Sequence, residues 1–257
     1  MAARTESPGE QRVLQVLAAD GTVEREVAWT EGEFEIGRLG SDLACPEDSG
    51  LAEHQIHLTW KEGRATIRDS GGGSGVWLRV DGQEGRLLRS GDQVWVGMQI
   101  LVLKKQEAGW RVQHHGPDGR LRGTHPVPPR GLFIGRTSDL VLDAGDPHLS
   151  RRHAQLVPEG DAIRLYDRSA HNGTFLKLSE PTPLPDAGEF RAGRQRFRFC
   201  CERMDSPEGD LRAGVADAGK GTGTGISEPD SSTGTLKRRD SGEEGGREVL
   251  QDEGARR

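Results

Sequence analysis

The chain has 257 residues, 30% of them charged and 32% hydrophobic, with 37 glycines and a formal net charge of -6. This allows one or two modest cores plus some unstructured chain. The acidic balance argues against general affinity for nucleic acid, since such domains are usually basic, and no apolar run reaches membrane-spanning length. The start, MAARTESPGEQR, lacks an apolar signal core. Of the three cysteines, Cys200 and Cys201 are adjacent, and no spacing suggests a disulfide frame or a zinc site. The expectation is a cytoplasmic protein with no metal, no cofactor, no membrane contact and no nucleic-acid partner.

Residues 1–11 read as a polar, frayed start. From Arg12 an apolar run, an Asp20-Gly21 turn and a second alternating run predict a hairpin. Short alternating runs follow at Phe34–Arg38, His54–Leu58 and Ala65–Asp69. A glycine-rich turn at Gly71–Gly75 then leads to Val76-Trp77-Leu78 and Val94–Leu103. The second half repeats this plan: Asp20-Gly21 matches Asp118-Gly119, Gly37-Arg38 matches Gly135-Arg136, Asp69 matches Asp167 and Gly75 matches Gly173, all at an offset of 98. A repeat this long predicts two copies of one domain, 11–104 and 109–202, each long enough to bury its own core. Lys104–Ala108 is expected to be a short polar joint between them. Past Cys201 aromatic residues stop and Gly, Ser, Asp and Glu dominate. Residues 203–257 are therefore expected to form a disordered tail, unable to bury enough apolar surface to offset ordering entropy.

Three clusters in Gly131–Leu178 carry chemistry: Gly135-Arg136, Ser150-Arg151-Arg152-His153 and Asn172-Gly173-Thr174. Each falls at a strand end, where a rigid sheet presents binding groups on loops. Arg136 and Arg151 offer planar donor forks suited to a phosphate dianion. Ser150 offers a hydroxyl, and Asn172 an amide able to pair with a peptide main chain in both directions. No general base, metal cluster or nucleophile pair accompanies them, so the pattern suits holding a phosphate, not transferring it.

On these residues the chain resembles the forkhead-associated (FHA) domain family, whose marks are a Gly-Arg, a Ser-x-x-His and an Asn-Gly-Thr in that order. The resemblance implies an all-β fold of two tandem FHA-type β-sandwiches followed by the tail, with the second sandwich a non-enzymatic reader of phosphothreonine peptides. It implies phosphate contacts from Arg136, Ser150 and Arg151, a backbone contact from Asn172, and loop shaping by His153, Gly135, Gly173 and Thr174. His148 falls where the family tunes the third residue after the phosphothreonine. His171 stands where the family often has Thr or Ser. The partners implied are a phosphothreonine-containing protein and an upstream serine/threonine kinase. A phosphate-independent structural adaptor is the alternative.

The first copy keeps Gly37-Arg38 and His54. It has Leu51 three residues before that histidine in place of Ser, Glu53 before it in place of Arg152, and Ser74 and Val76 in place of the Asn and Thr. Losing a hydroxyl and gaining a carboxylate both weaken attraction for phosphate, so this copy is expected to be degenerate. His153 and His54 read as buried structural residues. His54 and His57 are expected on opposite strand faces, and His114-His115 in solvent. In the tail, Arg238-Arg239-Asp240-Ser241 resembles a basophilic kinase site. A phosphorylated Thr233, with Leu236 three residues on, is a candidate for docking on Arg136 and Ser150 in cis or on a second copy. Residues 214–220 fit most of a P-loop but have Gly221 where the magnesium-binding hydroxyl belongs.

Overall fold

The computed structural model describes residues 10–30 and 32–203. The secondary structure in this region is β-strand, and no helix here is long and apolar enough to cross a membrane. The first half supplies β1 (Glu10–Leu17), β2 (Val23–Ala28), β3 (Glu33–Gly37), β4 (Leu43–Ala44), β5 (Ile56–Lys61), β6 (Arg64–Asp69), β7 (Val76–Arg79), β8 (Arg86–Leu88), β9 (Gln93–Val96) and β10 (Gln99–Gln106). The second half supplies β11 (Gly109–His115), β12 (Leu121–Pro126), β13 (Leu132–Gly135), β14 (Leu140–Val141), β15 (Ala154–Glu159), β16 (Ala162–Asp167), β17 (Thr174–Lys177), β18 (Thr182–Leu184), β19 (Glu189–Ala192) and β20 (Gln195–Arg203).

The alternation seen in the sequence becomes alternating burial, as in β5 and β11, because successive strand side chains face opposite sides of a sheet. The Asp20-Gly21 turn closes the β1–β2 hairpin. Gly21 takes a φ of 89°, and the Asp20 carboxylate accepts from the Thr22 amide at 2.9 Å and its hydroxyl at 2.7 Å. Such a left-handed turn position favours glycine.

The strands form one ten-stranded sheet, β12-β11-β10-β9-β17-β7-β19-β20-β1-β2, and two five-stranded sheets, β14-β13-β15-β16-β8 and β18-β6-β5-β3-β4. Two cores lie between them. The first gathers Leu14, Trp29, Ile36, Leu58, Ile67 and Leu78 with Leu184, Phe190, Phe197 and Phe199. The second gathers Val80, Leu88, Val96 and Leu103 with Val112, Ile134, Leu156, Ile163 and Leu165. The architecture is therefore all-β and built of β-sandwiches, but the division of the chain differs from the expectation. Residues 11–104 and 109–202 do not form separate bodies. The second sandwich is made by 80–177, and the first by strands before Val80 together with β18–β20.

The exchange is symmetric. By the repeat, β7 corresponds to β17 and β9 to β19. Yet β7 pairs with β19, β17 pairs with β9, and β7 and β17 pair with each other through Phe175↔Arg79, Leu176↔Leu78 and Lys177↔Trp77. Likewise β8 joins β16 and β18 joins β6. The cause lies in the connection between the halves. Lys104–Ala108 is not a linker: Lys104–Gln106 belong to β10, and only Glu107 and Ala108 separate it from β11, to which it pairs from Ile100↔His115 to Gln106↔Gly109. A two-residue connection joins antiparallel neighbours in one sheet. It therefore draws β10 and its partner β9 into the second sandwich.

Two buried aspartates fasten the exchanged hairpins. Asp48 accepts from the amides of Gly50 at 2.9 Å and Arg194 at 2.7 Å. Its repeat equivalent Asp146 accepts from the amides of His148 at 2.8 Å and Met98 at 2.8 Å. Each ties the loop preceding β5 or β15 to a hairpin from the other half. A buried charge cluster lies at the junction, where Arg79 meets Asp167 at 3.4 Å and Glu189 at 3.0 Å, and Glu189 also meets Arg196 at 3.1 Å and Arg198 at 2.7 Å. Burial pushes the Glu189 carboxyl up, but the surrounding arginines outweigh it and hold it below its ordinary value.

His114 departs from the solvated reading. It is 5% exposed, bonded at 3.0 Å to Gln99, and burial lowers its pKa. Its place on β11 turns alternate residues into the core, and His114 is one of them. The tail, with Thr233, Ser241 and 214–220, lies outside the described residues.

Candidate functional site

The site is built from three loops at one end of the second sandwich. The end of β13 is pinned to the loop before β15: the Arg136 amide donates to the Ser150 carbonyl at 3.0 Å and the Thr137 amide to the Arg151 carbonyl at 3.2 Å. Gly135 makes this approach possible. A Cβ there would lie 2.3 Å from the Arg151 carbonyl oxygen and 2.7 Å from that of Ser150, so any side chain would push the loops apart. Ser138 adds a hydroxyl bond to the Arg151 carbonyl at 2.6 Å.

His153 is the hinge pin behind this loop. It is fully buried; its Nδ1 accepts from the Ser150 amide at 2.9 Å and its Nε2 lies 3.0 Å from the Gly173 carbonyl. The two bonds define a neutral ring with its proton on Nε2. Burial accordingly lowers its pKa. One side chain thus joins the Ser150 loop to the Asn172 loop. Thr174 completes the second loop, its buried hydroxyl 3.0 Å from Asp167 and 3.3 Å from the His153 carbonyl. Gly173 takes a φ of 78°, and a Cβ there would also meet Phe175 at 2.9 Å.

The outward groups differ from these supports. Arg136 is half-buried with an Nε that has no hydrogen-bond partner, and Arg151 is exposed. Neither has a carboxylate within ion-pair distance among the described residues. Ser150 accepts from the Ala170 amide at 3.2 Å, which leaves its hydroxyl proton to give. Asn172 donates to the His148 carbonyl at 3.0 Å, so its oxygen and second amide proton remain for a ligand. His148 and His171 are exposed beside it. Arg152 is diverted, with its guanidinium 4.7 Å from the Phe133 ring centroid. The arrangement can hold an anion next to an extended chain.

The corresponding end of the first sandwich shows a one-residue slip in the reading of its motif. The counterpart of His153 is Gln55 and not His54. Gln55 is fully buried, its amide donates to the Ile36 carbonyl at 3.0 Å, and its Oε1 accepts from the Ala52 amide at 3.1 Å, just as His153 treats Ile134 and Ser150. Ala52 therefore replaces Ser150, and Glu53 replaces Arg151. His54 is 52% exposed and pairs with Glu35 at 3.0 Å, with His57 3.5 Å from the same carboxylate. The two histidines converge because His54 precedes β5, which begins at Ile56. Ser74, in place of Asn172, accepts from the Gly193 amide at 2.9 Å.

With this geometry in view, comparison with known proteins is direct. The family model described as the FHA domain matches residues 132–193, a stretch that contains all three motif clusters. The match runs beyond Lys177 into β18 and β19, which the exchange places in the first sandwich. The FHA domain-containing protein FhaB of Mycolicibacterium smegmatis is 30% identical over 113 residues, which are 43% of this chain and 64% of that protein; the chain thus spans less than two thirds of this relative's length. Among solved structures, the FHA domain of the CT664 protein from Chlamydia trachomatis is 11% identical, with a TM-score of 0.33, over 74% of this chain and 96% of that one. Mycobacterium tuberculosis EmbR in complex with a low-affinity phosphopeptide is 10% identical, with a TM-score of 0.33, over 75% of this chain and 25% of that one.

Proposed function

We propose that the second sandwich binds phosphothreonine peptides of a partner protein, as a non-enzymatic signalling adaptor downstream of a serine/threonine kinase. The observation that carries this reading is the pair Arg136 and Arg151, whose loops are joined by the backbone bonds at Ser150 and Arg151 and whose side chains lack acid partners among the described residues. Two such arginines suit a phosphate dianion, which each can meet with charge-assisted hydrogen bonds. In this reading Arg136 and Arg151 pair with phosphate, Ser150 donates to it, and Asn172 fixes the peptide backbone. Gly135, His153, Gly173 and Thr174 hold the loops. His148 and His171 contact residues flanking the phosphothreonine.

The first sandwich does not read phosphate in this account, because Ala52 and Glu53 stand where Ser150 and Arg151 do. It serves as a scaffold or as a separate protein interface. The test is a phosphothreonine peptide library screened on the full chain before and after phosphatase treatment. Binding that needs the phosphate and is lost in Arg136→Ala is the expected result. Partner binding indifferent to phosphatase would replace this account with the phosphate-independent adaptor.

A further inference from the structure

The exchanged sheet leaves a cleft of about 240 Å³ beside the proposed peptide site. The second sandwich lines it with Asn172, His148, Trp95 and Met98, and the β19–β20 hairpin of the first with Arg191, Arg194 and Arg196; of these Arg194 lies 3.7 Å from Asp48. The charge of the cleft is unbalanced. The Arg191 guanidinium lies 3.5 Å from the Trp95 ring centroid and 5.5 Å from that of Phe175. Its Nε is buried without a hydrogen-bond partner, and no carboxylate lies within ion-pair distance among the described residues. Burial, with the charge of Arg196, lowers its pKa to about 10. Arg196 shares Glu189 with Arg79 and Arg198, and its own Nε is also buried and unpartnered.

An aromatic platform holds the half-buried Arg191 guanidinium in place but does not neutralise it. The cleft thus presents a cation with no carboxylate beside it among the described residues. Resting on the phosphothreonine reading above, we propose that it takes a second anionic side chain of the same peptide: aspartate, glutamate or another phosphorylated residue. The spacing suits this. His148 is two residues from Ser150 and so lies no more than roughly 7 Å along the chain from it, which brings the cleft within about two to four residues of the phosphate for a peptide running over Asn172. Because Arg191 and Arg196 come from the other sandwich, this specificity belongs to the exchanged chain as a whole and not to one sandwich.

The test is a set of phosphothreonine peptides, alanine at flanking positions, in which glutamate or phosphoserine is placed singly at each of the four positions on either side, titrated against the full chain by fluorescence anisotropy. The expected result is a preference on the order of tenfold at one position on one side only, as for a charge-assisted bond. The glutamate and phosphoserine arms distinguish which anion fits. The ratio of acidic to neutral peptide should collapse towards one in Arg191→Gln. It should fall in Met98→Glu and rise in Met98→Lys, since Met98 is 46% exposed and its substitution leaves the core intact. Phosphate-dependent binding with no positional acidic preference overturns the cleft proposal and leaves the phosphothreonine reading standing. Absence of any phosphate-dependent binding overturns both.

Discussion

At the residue scale, the proposed site separates groups that point outward from groups that hold the loops. Arg136→Ala leaves the loops bonded as before, since only the backbone of Arg136 is used in them. It should weaken phosphopeptide binding by about 2–5 kcal/mol while leaving the melting temperature nearly unchanged. His153→Ala does the opposite. It leaves the Ser150 amide and Gly173 carbonyl without their partner and opens a cavity, so chemical denaturation should report a loss of about 2–5 kcal/mol. His153 also sets a pH dependence. Its folded pKa is lowered, so the unfolded chain binds the proton first. The stabilisation is complete above the unfolded value, about 6.5, and is lost as pH falls below it. His114 acts in the same direction. Urea midpoints measured between about pH 7.5 and 5.5 should therefore fall, and fall less steeply in His114→Gln.

At the element scale, the hairpins and the three motif clusters were legible because turn chemistry and period-two burial are local. Asp20-Gly21 and Asp118-Gly119 name their turns, and alternation names the buried face. The partner of each strand was not legible, because the repeat gives β9 and β19 the same pattern and either could lie beside β7. The signal that could have resolved it was the joint: Val94–Leu103 and the run after Gly109 are too close in sequence to lie anywhere but in one hairpin. The first copy's motif was misread by one residue because a histidine, His54, stood beside the true structural equivalent, Gln55. The offset of 98 that matches Gly37 to Gly135 also matches Gln55 to His153. Asp146 shows what the exchange depends on. Asp146→Ala frees the amides of Met98 and His148 together, and faster hydrogen exchange at both should follow.

At the scale of the whole molecule, the second sandwich is a continuous segment and the first is not. Residues 80–177 contain every strand of the second core, whereas 109–202 lack β8–β10 and carry three strands that belong elsewhere. Expressed alone, 80–177 should fold cooperatively and 109–202 should not, as circular dichroism melts would show. A fragment cut at the repeat boundary is therefore a poor reagent for testing function, and the full chain is the right one. The central claim is that this chain holds a phosphothreonine at Arg136, Ser150 and Arg151. The most direct measurement is the phosphorus NMR signal of a phosphothreonine peptide titrated with the full chain and with Arg136→Ala. The account predicts a shifted, saturable signal with the natural chain, displaced by excess phosphopeptide and absent with the variant. A signal that stays at its free position, or moves equally with both proteins, would contradict it.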